Sequence, residues 1–99
     1  MNETLVHVDG VLASDPMPYQ SVEEDAEVYL VKLVLHAPLQ AGDLELTELF
    51  LNLGQSDHGL KSGDPVTATG TVAERSMITR SGKIRRGGVY QLLVQDVQR

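Results

Sequence analysis

The sequence predicts an all-β protein, a small closed barrel built from five short strands. Three observations carry this. Five segments are rich in Val, Leu, Thr and Tyr, several with period-two alternation. Clusters of Pro, Gly, Asp and Ser separate them. Gly10 and Gly70 fall inside two of the segments, where a strand that must bend around a barrel needs a bulge or a coiling point.

The first predicted strand, Thr4 to Leu12, sets Val6 and Val8 on one face. The second, Glu27 to Leu35, is apolar on both faces except at Lys32, as suits a strand covered on both sides. The gap before it holds Asp15-Pro16-Met17-Pro18 and the acidic run Glu23-Glu24-Asp25. Pro38, Gly42 and Asp43 end the second strand. The third, Leu44 to Leu53, alternates Leu49, Leu51 and Leu53 against Glu48, Phe50 and Asn52. Leu and Glu also favour helix there, but the alternation favours strand. Gly54 to Gly63 forms the next gap. The fourth strand, Asp64 to Ile78, is rich in Thr and Val, and the fifth, Ile84 to Val97, alternates Tyr90, Leu92 and Val94. Ser81-Gly82 is a hairpin signal that predicts a two-residue turn, with Arg80 facing Lys83, Ile78 facing Arg85 and Met77 facing Arg86.

Ninety-nine residues, 41% of them hydrophobic, predict one domain spanning 1–99 with one core. There is no cysteine, which excludes disulfides and thiolate metal sites within this sequence. The longest mostly apolar run, Val28 to Leu35, contains Lys32 and is too short to span a bilayer. No secretory leader is recognisable at the N-terminus. The expectation is a soluble cytoplasmic protein without a membrane partner. The net charge of −6 repels phosphate at long range, yet five of the eight basic residues lie within twelve positions: Arg75, Arg80, Lys83, Arg85 and Arg86. That segment carries +5 and the remainder −11.

Several stretches taken together resemble the bacterial single-stranded DNA-binding protein family. Met1-Asn2-Glu3-Thr4 with Val6, Val8, Gly10, Leu12 and Asp15-Pro16 is similar to that family's opening. Leu60-Lys61-x-Gly63, Val66 and Gly70 resemble its entry into the fourth strand. Arg75-Ser76, Thr79-Arg80, Gly82-Lys83 and the run ending Val94-x-x-Val97 resemble its hairpin between strands four and five. The resemblance implies a five-stranded OB-fold barrel with a projecting hairpin between its fourth and fifth strands. It also implies single-stranded DNA as ligand, roles in DNA replication, repair or recombination with a protein partner from those processes, and a homodimer or homotetramer. The sequence departs from the family in five respects. The helix between strands three and four is shortened or absent, because only Gly54 to Gly59 stands there. The preceding loop, His36 to Asp43, has no Lys or Arg; there is no Trp; and Met77 stands where the hairpin commonly carries an aromatic. With the chain ending at Arg99, the variant expected is short and tail-less.

Single-strand binding needs a cationic track and flat groups for bases to stack on. Arg75, Arg80, Lys83, Arg85 and Arg86 supply the track; solubilising charges that blunt a hairpin edge are the alternative. Phe50 and Met77 are the candidates for stacking or apolar contact, Phe50 with core packing as its alternative. Tyr29 and Tyr90 fit the core, and the role of Tyr19 is open. Lys32 either snorkels to the surface or sits in a DNA groove. His7, His36 and His58 lack metal-ligand spacing, and no nucleophile or phosphate-loop motif occurs, so neither catalysis, metal nor cofactor is expected. Nothing in the residues separates DNA from RNA. The competing reading is a protein-interaction or assembly OB module of the primosomal kind, its basic segment gripping an acidic partner.

Overall fold

The computed structural model describes residues 5–21, 26–41, 43–74, 77–78, 84–85 and 90–99. Among the described residues are eight strands: β1 (Val6–Leu12), β2 (Met17–Ser21), β3 (Ala26–Ala41), β4 (Leu44–Gly54), β5 (Pro65–Glu74), β6 (Met77–Ile78), β7 (Ile84–Arg85) and β8 (Tyr90–Gln98). No helix occurs among the described residues. Strands β1-β5-β8-β4-β3 follow one another, and β3 pairs back onto β1, closing a five-stranded barrel. Among the described residues all strand pairings are antiparallel except β4 with β8.

The predicted alternation sets the core. Leu49, Leu51 and Leu53 of β4 point inward and meet Val8 and Leu12, Val31 and Leu33, Val66 and Ala68, and Leu92. Each fully buried leucine contributes about 1.5–3 kcal/mol of transfer free energy. Tyr29 and Tyr90 pack against this cluster as expected. In the gap after β4, where the helix was expected to be short or missing, a loop inserts Leu60 into the core. Backbone bonds Leu12 N–H to Asp64 O (3.0 Å) and Gly63 N–H to Leu12 O (2.9 Å) tie that loop to the end of β1.

Four expectations are corrected or sharpened. First, the Met17-Pro18 segment is not a gap but a sixth barrel-associated strand, β2, paired with β3 from Met17↔Leu30 to Ser21↔Ala26. Pro18 is tolerated because β2 is an outer strand, with no neighbour on its other side among the described residues. Second, β3 does not stop at Leu35; it runs through Pro38 to Ala41. The β3–β4 register jumps from Val34↔Glu48 to Leu39↔Leu46, so residues 35–38 oppose only residue 47. Pro38 sits in that irregularity, where no ladder bond is required of it. Third, Gly70 does mark a bulge, between Thr69↔Asp96 and Gly70↔Val94. Gly10 carries no bulge, since β1 runs in unbroken register with both β5 and β3; it stands where β1, still paired with β5, begins to pair with β3, in keeping with the other alternative, a coiling point.

The fourth concerns the hairpin. Strands β6 and β7 form a separate two-stranded sheet with Met77↔Arg85 and Ile78↔Ile84. Five residues separate Ile78 from Ile84, so a two-residue turn at Ser81-Gly82 cannot close this register. Met77 therefore opposes Arg85, not Arg86, and Ile78 opposes Ile84. The predicted Arg80–Lys83 pairing lies outside the described residues, as does Thr4 at the head of the first strand.

Candidate nucleic-acid interface

The outer edge of β3 is shared by two strands. β1 pairs with it at Leu33–Leu35, and β2 pairs with it at Ala26–Leu30. Between them the chain leaves β1 through residues 13–16, where Ala13 N–H donates to Lys32 O (2.9 Å), and continues in the same direction along β3 as β2. This change of partner opens a groove of about 420 Å³ lined by Ala13, Ser14, Met17, Pro18, Tyr19, Leu30, Val31, Lys32 and Phe50. Its wall is mostly apolar, with two aromatic rings, one flexible thioether and one cation.

Lys32 and Phe50, both singled out from sequence, meet here as Cα partners across β3 and β4. Phe50 is half-buried and lines the groove instead of joining the core. Lys32 sits in the groove as well. Its Nζ lies 5.6 Å from the Phe50 ring centroid, within cation–π range, and 3.2 Å from Glu48 Oε1. Glu48 is the partner of Val34, so the ion pair runs diagonally across the two strands. With side-chain exposures of 41% for Lys32 and 54% for Glu48, the pair contributes about 0–1 kcal/mol.

Sequence reasoning missed Met17 and left Tyr19 without a role; the structure sets both on the groove through β2. The available signal was the spacing of Met17, Tyr19 and Ser21 around Pro18, which is legible as an edge strand once Pro is permitted there. A buried polar pair was missed too. Asn52 Nδ2 donates to Gln91 Oε1 (3.1 Å), and Gly54 N–H donates to Asn52 Oδ1 (3.0 Å). The first bond clamps β4 to β8 beside Phe50, and the second, within β4, orients the Asn52 amide that makes it.

That clamp fixes the relation between groove and basic segment. Gln91 is the Cα partner of Phe50 on one side and of Ala73 on the other. One pair further on, Glu74↔Tyr90 is the last β5–β8 pair, and the chain between them carries the basic cluster. Tyr90, where the chain re-enters the sheet after residues 75–89, thus lies one strand spacing, roughly 5 Å, from the strand that bears Phe50, and Glu74, where it leaves, lies two, roughly 10 Å. Of the predicted cations, Arg75, Arg80, Lys83 and Arg86 lie outside the described residues, while Arg85 and Met77 are opposed in the β6–β7 ribbon.

The remaining polar surface is elsewhere. His36 Nδ1 lies 3.5 Å from Asp9 Oδ2 and His7 Nδ1 lies 2.9 Å from Thr69 Oγ1, on the outer faces of β1, β3 and β5. Among the described residues no group of three or more metal-ligating side chains comes together.

A closed five-stranded barrel with one added strand, interrupted between its last two long antiparallel strands by a basic hairpin segment, is an OB-fold architecture. A solved structure similar to it is the small single-stranded DNA-binding protein from Streptomyces coelicolor, with a TM-score of 0.60 and 18% sequence identity, covering 99% of this chain and 94% of that one. At that identity the likeness shows the fold. No protein-family model matches the sequence, and no curated protein matches it.

Proposed function

We propose that this chain is a non-catalytic single-stranded DNA-binding protein whose ligand runs from the β2–β3–β4 groove past Phe50 to the basic segment 75–86. The observation that carries this is the register of Gln91, which sits between Phe50 and the strand that leads into the cations. The register supports bringing a stacking candidate near the strands from which the cationic segment departs, and sequence-tolerant single-strand binding requires both elements. Arg75, Arg80, Lys83, Arg85 and Arg86 hold phosphates; Phe50 offers its ring to a base; Met77 and Lys32 flank the path. The similar Streptomyces coelicolor protein is a single-stranded DNA-binding protein, which supports this ligand. Action in DNA replication, repair or recombination, as a homodimer or homotetramer, belongs to the same proposal.

Fluorescence anisotropy of a labelled oligo(dT) tests it. Binding is expected at low salt and weakens as salt rises. With the five cations of the basic segment engaged at about −0.7 per phosphate, that segment contributes a log–log slope no steeper than about −3.5. Absence of binding at low salt, with a defined oligomer by light scattering, would instead favour an assembly module. A parallel oligo(U) titration reports on RNA.

Replacing Phe50 by Ala removes the ring while leaving the buried leucines in place. The expected loss is that of one base stack, about 1–3 kcal/mol, or roughly 5- to 150-fold in Kd, with the salt slope unchanged. An unaltered Kd would show that no base rests on Phe50.

A further inference from the structure

We infer that Glu48 and Lys32 form a latch over the Phe50 ring, so that the groove opens to a ligand that brings an anion and a flat ring together. The inference rests on the proposed single-strand reading and names how that site is gated. Lys32 makes two contacts at once: its ammonium is 3.2 Å from the Glu48 carboxylate and 5.6 Å from the centre of the Phe50 ring. The second contact places a hydrated cation over the ring face on which a base would stack. The first holds it there, because Glu48 lies two residues before Phe50 on the same face of β4.

A base cannot occupy the covered ring face until the ammonium swings aside, and swinging aside separates it from Glu48. A phosphate attached to that base offers Lys32 a replacement anion, so the two steps are coupled. A free base or an apolar peptide segment supplies the ring or the bulk without the anion and leaves the latch closed. An isolated anion engages Lys32 but places nothing on Phe50. Nucleotide units satisfy both demands, which makes the latch a source of selectivity and not merely a surface ion pair. Both side chains are substantially exposed, so the pair opens without disturbing the core.

The test is a double-mutant cycle read by oligo(dT) anisotropy at low salt, using wild type, Glu48→Gln, Lys32→Met and the double variant. Glu48→Gln is expected to tighten binding about two- to fivefold, the range of an exposed ion pair. In the Lys32→Met background most of that gain should disappear, since no ammonium remains to be held. An abasic oligonucleotide of equal length should gain less from Glu48→Gln than oligo(dT), because it has no base to take the uncovered ring. A gain of equal size with and without Lys32 would overturn the latch and reduce Glu48 to one more repulsive charge. No gain, or equal gains for the abasic strand, would overturn it as well. Wild-type protein that fails to bind oligo(dT) at all would overturn the single-strand reading itself, a result separable from the other two.

Discussion

Charge reversal of Arg80, Lys83 and Arg85 to Glu abolishes oligonucleotide binding without unfolding the barrel. The segment changes from +5 to −1, on a chain whose remainder is already −11. Each lost phosphate contact removes about 0.7 of a log unit per decade of salt below 1 M, so three lost contacts weaken binding on the order of 100-fold at 0.1 M salt. Repulsion from the three new carboxylates adds to this, and the flattened salt slope distinguishes lost counterion release from lost stacking. Stability should hardly change. Among the described residues the β6–β7 ribbon pairs with no barrel strand, and exchanging one charged side chain for another removes no apolar group from a core. Anisotropy and thermal unfolding measured on the same preparation check both halves. Intact folding with unchanged Kd would exclude the basic segment as the phosphate track.

The parts of this fold that sequence reveals are those set by local alternation. Leu49, Leu51 and Leu53 announce the inner face of β4, and Val8 that of β1, because period two is a property of neighbouring residues. What local pattern hides is pairing. Pro18 and Pro38 read as breakers because a proline lacks a ladder donor, yet one lies on an outer strand and the other in a register irregularity, where that donor is not used. Hairpin register is hidden for a related reason: Ser81-Gly82 favours a turn, but the pairing of Ile78 with Ile84 decides the loop length. The candidate site shows the same division. Phe50 and Lys32 stand out as exceptions within apolar strands. Tyr19 joins them only because β2 folds back on β3, and Glu48 reaches Lys32 only through the diagonal offset of β3 against β4.

Replacing Gly10 by Ala is expected to cost the barrel far more stability than the size of a methyl group suggests. A Cβ built there would overlap the carbonyl oxygen of Val34, with the Val34 carbonyl carbon at 2.8 Å and Leu35 Cα at 3.0 Å. Every one of these atoms is backbone, so no side-chain rotation relieves the contact. Overpacking that rotamers can absorb costs about 1–3 kcal/mol, and this case lies at or above the upper end. For a domain of this size about 3 kcal/mol lowers Tm by roughly 12–24 °C. Gly54→Ala provides the contrast. Its φ is +76°, but nothing lies within 4 Å of its added Cβ, so it pays only the conformational penalty of about 1 kcal/mol. Thermal unfolding of the two variants separates a steric requirement from a dihedral one; equal Tm values would refute the difference. The consequence reaches the groove. Gly10 pairs with Val66 of β5 and Leu35 of β3, and it is the β1–β3 pairing that closes the barrel. Pushing β3 off β1 shifts the strand that carries Lys32 and faces Phe50. Gly10→Ala protein that remains folded at low temperature should therefore lose oligonucleotide affinity as well, whereas Gly54→Ala should retain it.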